Sequence, residues 1–137
     1  MRLPKKIIDS NVILRFFLGD DEKQSRKAYE FIQALEAGND EALLTEMVFA
    51  EVVWVLQKVY AVPRAEIALK FSRLIKGLGI KTVTFKSIFI EALKIYAETA
   101  IDIQDIFLSV LAQSYSCTVV TFNKRDFKKL YCESSEP

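Results

Sequence analysis

Lys6-Ile7-Ile8-Asp9-Ser10-Asn11-Val12 is the stretch that decides the fold. A short apolar run ends on an acid, and a helix-period segment from Val12 to Leu18, closed by Gly19, follows at once. The pattern recurs along the chain. Asp20 and Asp21 cap a predicted helix with Ala28, Phe31, Ile32 and Leu35 on one face and Gly38 as its stop. Ala42-Leu43-Leu44-Thr45 reads as a second strand, followed by residues 46–60, apolar nearly all round and so expected to be buried. Pro63 opens a helix carrying Ile67, Phe71, Leu74 and Ile75. Residues 80–85 alternate and read as a third strand, with Ser87 positioned to cap the next helix. Residues 103–114 form another apolar helix, 117–122 a fourth strand, and 124–130 a helical turn. Strands separated by helices predict an α/β fold, a parallel sheet of four or five strands sandwiched between helices. In such sheets ligands sit beyond the carboxyl ends of the strands, so the residues there carry the functional reading.

Composition narrows that reading. The chain has 137 residues, the size of one domain, and 51% of them are hydrophobic, which excludes a disordered tail. The expected boundaries are a single domain over residues 1–132 and a frayed tail over 133–137. A net charge of +1 excludes a globally basic nucleic-acid coat, though not a local basic patch. Histidine is absent, which removes Ser-His-Asp and Cys-His catalysis and His-ligated zinc. Two cysteines are too few for a disulfide framework or a structural zinc site, and Cys117 reads as a small buried residue. The charged start is interrupted by Asp9 too early for a signal peptide, and no apolar run approaches the ~20 residues needed to span a bilayer. The expected setting is a soluble protein of the reducing cytoplasm, with no membrane.

The chemistry falls to the acids. Asp9 ends the first strand, where it serves equally as a helix cap, with Ser10 and Asn11 available for the same task. Glu51 lies in Val48-Phe49-Ala50-Glu51-Val52-Val53-Trp54, and a carboxylate buried there requires either a Lys or Arg partner or a metal ion. Asp102 and Asp105, three apart, open the 103–114 helix on one face; Asp102 is a natural N-cap. Thr121, Asn123 and Asp126 follow the last strand, where a polar turn accounts for each singly. Taken together, Asp9, Glu51, Asp105 and one of Asn123 or Asp126 fall at one sheet edge. Two carboxylates ~5 Å apart repel by roughly 3 kcal/mol at an effective dielectric of about 20, so a cluster persists only with protons or a cation. All-oxygen ligation selects Mg2+ or Mn2+, which leaves positions open for phosphate oxygens and lowers the pKa of bound water, chemistry suited to in-line attack on a phosphodiester.

Ile-Ile-Asp-Ser-Asn-Val at the start, Glu51, Asp102-Ile-Gln-Asp105, and Val-Val-Thr-Phe-Asn-Lys-Arg-Asp-Phe near the end resemble the PIN-domain ribonucleases, and within them the VapC-type toxins of toxin–antitoxin pairs. The resemblance covers essentially the whole chain, in order. It implies a Mg2+- or Mn2+-dependent endoribonuclease acting on single-stranded RNA, a homodimer, and neutralisation by a cognate antitoxin. It implies Asp9, Glu51 and Asp105 as metal ligands and Asp126 as a further catalytic acid. Ser10, Asn11, Asp102, Thr121 and Asn123 would support them. Asn123 stands where many members carry Asp, and Ser10 where Thr is usual.

On the substrate side, Lys124, Arg125, Lys128 and Lys129 form the densest basic cluster, and Arg15 is expected at the same rim; they serve as RNA-binding cations or as a solvated helix face. Phe16, Phe17, Phe122 and Phe127 read as core before base-stacking platforms. Exposed apolar residues around Phe16, Phe17 and Leu18, or on the Ile32–Leu35 helix, are expected to contact an antitoxin, whose Arg would pair with the carboxylates. The competing readings are a PIN nuclease that processes RNA without an antitoxin, a degenerate PIN module that binds RNA or protein, and a receiver-like domain. Asp9 has no acidic neighbour, which argues against the last.

Overall fold

The computed structural model describes residues 2–137; Met1, where the expected domain begins, lies outside the described residues. In chain order the elements are α1 (Ser10–Leu18), α2 (Glu22–Ala37), β1 (Ala42–Leu43), α3 (Glu46–Lys58), α4 (Arg64–Ile75), β2 (Ile80–Lys81), α5 (Lys86–Glu98), α6 (Ile103–Tyr115), β3 (Val119–Val120), α7 (Lys124–Lys129) and β4 (Ser134–Ser135). The α/β alternation matches the sequence reading, and the strands are parallel. None of the described helices is long and apolar enough to cross a membrane.

The sheet is smaller than expected. β1 pairs with β2, Ala42 opposite Ile80 and Leu43 opposite Lys81, while β3 pairs separately with β4. The Lys6–Asp9 run contributes an isolated bridge, Ile7 to Leu43, with Ile8 N donating to Leu43 O at 3.0 Å. A continuous four- or five-stranded sheet would join this run to β3. Here the two are not paired, and Ile7 and Val120 on them are 66% and 63% exposed. The third strand stops at Lys81 because Thr82 Oγ1 donates to Thr84 O at 2.5 Å, turning the chain out of the ladder. The tail is also corrected. Its residues 133–135 are paired: Val119 N donates to Glu133 O and Thr121 N to Ser135 O, both at 2.9 Å, so this part of the tail satisfies one edge of β3.

The helices do most of the burying. Asp21 caps α2 by accepting from Gln24 N at 2.8 Å, and Gly19 and Gly38 close α1 and α2 in the left-handed conformation. α5 begins at Lys86, not under a Ser87 cap, and has no side-chain cap bond; Lys86 Nζ instead donates to Gly77 O at 2.9 Å. At the centre, the ring of Phe49 on α3 packs against Phe71, Phe89 and Phe107, with centroids 4.9, 5.0 and 5.8 Å away. These aromatics lock α3 to α4, α5 and α6, and so fix the frame on which the acids stand. Gly79 is needed before β2, since a Cβ there would lie 1.9 Å from Asp40 O.

Candidate active site

Helix starts place two of the predicted acids. Asp9 is the N-cap of α1, its Oδ1 accepting from Ser10 N at 2.9 Å, so Asp9 itself does the capping and neither Ser10 nor Asn11 replaces it. It stands at the carboxyl end of the Ile7 run, level with Thr45, which caps α3 by accepting from Val48 N at 3.2 Å. Asp102 occupies the N-cap position of α6 but makes no cap bond, which leaves its exposed carboxylate available to the space in front of the helix. Asp105, one turn on, is partly buried.

Asn123 joins two of the acids. Its Nδ2 donates to Asp126 Oδ2 at 2.9 Å and to Asp105 Oδ2 at 3.3 Å, while its own backbone N–H donates to Thr121 Oγ1 at 2.9 Å. Burial pushes the Asp105 carboxyl above its ordinary range; the charges of Asp102 and Asp126 push the same way, against the Asn123 hydrogen bond. The charges of Asp102 and Asp126 are therefore both within electrostatic reach of the Asp105 carboxyl. Among the described residues no Lys or Arg lies within ion-pair distance of Asp9, Glu51, Asp102 or Asp105; Asp126 has Arg125 Nε at 3.7 Å.

Glu51 departs from the sequence reading. α3 is not buried all round. Phe49, Val52, Val53 and Leu56 form one buried stripe at helical spacing, and Met47, Glu51 and Trp54 lie on the open side. Glu51 therefore needs no buried cation. It lines a cavity of about 750 Å3 with Trp54, Gln57, Tyr96, Asp102 and Gln104. Asp102 thus belongs to both groups, bordering this cavity and acting on Asp105.

The donors are oxygens throughout, which fits a hard divalent cation in kind. No group of three acidic or cysteine side chains among the described residues is close enough to hold one ion. Asp105 and Asp126 are brought together; Asp9 and Glu51 stand on separate elements, without a hydrogen bond to that pair.

The cations divide. Lys124, Arg125, Lys128 and Lys129 are exposed on or beside α7. Arg15 is engaged locally: its Nη1 donates to both carboxylate oxygens of Asp20 at 2.9 and 3.0 Å, its Nε donates to Gln24, and with Asn11 it lines a hollow between α1 and α2. Ser10 is buried. The aromatics divide as well. Phe127 is buried and Phe16 and Phe17 pack against the core, but Phe122 is 82% exposed beside Asn123. Ile32 and Leu35 are fully buried, which removes them from any partner surface, whereas Phe16, Phe17 and Leu18 pack on the core and remain partly exposed. Cys117 is exposed, not buried. The sequence reading missed Trp54, Gln57, Tyr96 and Gln104 in the cavity wall. Trp54 was legible, being one turn from Glu51 and off the 49/52/53/56 stripe.

Over 133 residues, 96% of either chain, the sequence is 28% identical to a VapC ribonuclease of Aquifex aeolicus (strain VF5). Residues 6–131 match the PIN domain, a span that takes in all of the acids described above, and the chain belongs to the PIN domain family.

Proposed function

We propose that this protein is a divalent-metal-dependent endoribonuclease cleaving single-stranded RNA, and the toxin of a toxin–antitoxin pair. The observation that carries the reading is the meeting of Asp105 and Asp126 on Asn123, with Asp102 close enough to raise the Asp105 pKa and to border the Glu51 cavity. Such acids destabilise the free fold, and a role in holding a cation accounts for them. Similarity to a VapC ribonuclease along nearly the full length supports the same class of activity.

In this reading Asp9, Glu51 and Asp105, which the structure does not gather into one three-acid group, would supply the oxygens for Mg2+ or Mn2+, with Asp126 as the further acid. The ion supplies charge neutralisation at the scissile phosphate and activation of water. The protein's own groups do the rest. Asn123 spaces Asp105 from Asp126 and keeps both aimed to one side. Thr121 fixes the Asn123 backbone. Lys124, Arg125, Lys128 and Lys129 hold phosphates flanking the cleaved bond. The assembly is a homodimer acting in the cytoplasm, and its antitoxin covers the acidic cavity.

The test is to incubate purified protein with single-stranded RNA in Mg2+, in Mn2+ and in EDTA, beside Asp9→Asn and Asp105→Asn. Cleavage with metal, lost in EDTA and in both variants, is expected. Cleavage that persists in EDTA or in both variants sinks the reading. The toxin assignment is tested by adding the product of the neighbouring gene: unchanged cleavage leaves an RNA-processing PIN nuclease.

A further inference from the structure

Arg64 is the most heavily bonded cation near the acidic cavity, and it is the first residue of α4. A positive charge in the first turn of a helix opposes the macrodipole, a cost of roughly 0.3–1 kcal/mol, so its contacts must lie elsewhere. They do. Nε donates to Tyr96 O at 2.8 Å, Nη2 to Ile101 O at 2.5 Å, and Nη1 to Gln57 Oε1 at 3.2 Å. The guanidinium carbon lies 3.6 Å from the Tyr96 ring centroid, and Tyr96 Oη donates to the same Gln57 oxygen at 2.6 Å.

Each acceptor has a place in the site. Tyr96 O is one of the unsatisfied carbonyls in the last turn of α5. Ile101 is the residue before Asp102, in the bend that leads into α6. One planar fork therefore ties the end of α5 to the start of α6, and Gln57 fastens both to α3, the helix of Glu51. Gln57, Tyr96 and Asp102 all border the cavity that Glu51 lines. Burial lowers the pKa of Arg64, and the negative charge of Asp102 works against that, which places Asp102 within electrostatic reach of the guanidinium.

We propose that Arg64 is a positioning residue for the acidic site: it fixes the bend before α6 so that Asp102 and Asp105 are presented together, opposite Glu51. The proposal rests on the nuclease reading above. Arg64 touches no reacting group; it acts through two backbone carbonyls and one side chain. Lysine keeps the charge but cannot serve three acceptors in one plane, so the two features separate by substitution.

The experiment compares wild type, Arg64→Lys and Arg64→Gln with Ile32→Val, a core change remote from the cavity. Thermal melts and circular dichroism establish folding, and Arg64→Lys carries the test if Arg64→Gln does not fold. Two quantities are read: Mn2+ affinity by quenching of Trp54, the single tryptophan, and kcat and KM on single-stranded RNA. Expected is a loss of about tenfold or more in Mn2+ affinity and kcat for Arg64→Lys, with KM nearly unchanged, and no such loss for Ile32→Val at comparable stability. Arg64→Lys matching wild type in both quantities overturns the positioning role alone. Wild type that neither binds Mn2+ nor cuts RNA overturns the nuclease reading, and the positioning role with it.

Discussion

Asn123 and Asp105 lie eighteen residues apart in sequence, yet the amide of one reaches the carboxylate of the other at 3.3 Å. The same nitrogen serves Asp126 at 2.9 Å, so a neutral amide occupies the position between two acids. Asn123→Asp replaces that donor with a further negative charge. In EDTA the variant should melt about 4–8 °C lower, the effect of roughly 1–2 kcal/mol in a domain of this size. Added Mn2+ should recover the loss, and Mn2+ should bind more tightly than to wild type. Melting curves over a Mn2+ titration measure both effects; unchanged midpoints would show that the amide bridge carries no weight.

Asp105, Asn123 and Asp126 could be placed from sequence because each follows a strong local signal, a helix start or a strand end. Glu51 was located but its burial was misjudged. The composition of α3 is apolar on both faces, and only the 49/52/53/56 spacing, met by the Phe71, Phe89 and Phe107 rings, shows which face turns inward. The pairing of residues 134–135 with β3 was illegible because Ser-Ser carries no strand signal; the open backbone edge of β3 supplies the reason. Arg64 was illegible for a similar reason. Two of its partners are backbone carbonyls, which no side-chain pattern announces.

Glu51 is exposed, lacks an ion-pair partner among the described residues and borders the cavity beside Trp54. Glu51→Gln should therefore leave stability within about 0.5 kcal/mol of wild type, as surface changes do. Cleavage should fall by at least about tenfold. Urea melts and RNA cleavage, measured on the same preparation, separate the two. A large stability loss would mean that the carboxylate is structural.

Gly79 tests the frame rather than the site. Its N–H donates to Leu35 O at 2.7 Å and its carbonyl accepts from Ala42 N at 2.9 Å, so it joins the end of α2 to β1. An added Cβ would lie 1.9 Å from Asp40 O and 2.9 Å from Leu35 O, both backbone atoms that cannot turn aside. Gly79→Ala should cost about 2–4 kcal/mol, seen as a lower urea midpoint at unchanged slope. A midpoint equal to wild type would contradict the packing of this turn.

Asp105 gives the pH prediction. Burial, then the charges of Asp102 and Asp126, hold its carboxyl above the ordinary range in the folded protein. A raised acid binds its proton more tightly when folded. Its contribution to stability is thus fully present below the unfolded pKa and is lost as pH rises through the folded one. Asp105→Asn removes that titration. The variant should melt higher than wild type at neutral pH, and the gap should close as pH falls below the ordinary carboxylate range. The same variant should not cut RNA. Melting temperatures for both proteins from about pH 3 to about pH 7, in EDTA, measure the gap. A gap that widens toward acid would reverse the sign of the Asp105 shift and remove the electrostatic argument for a cation at this site.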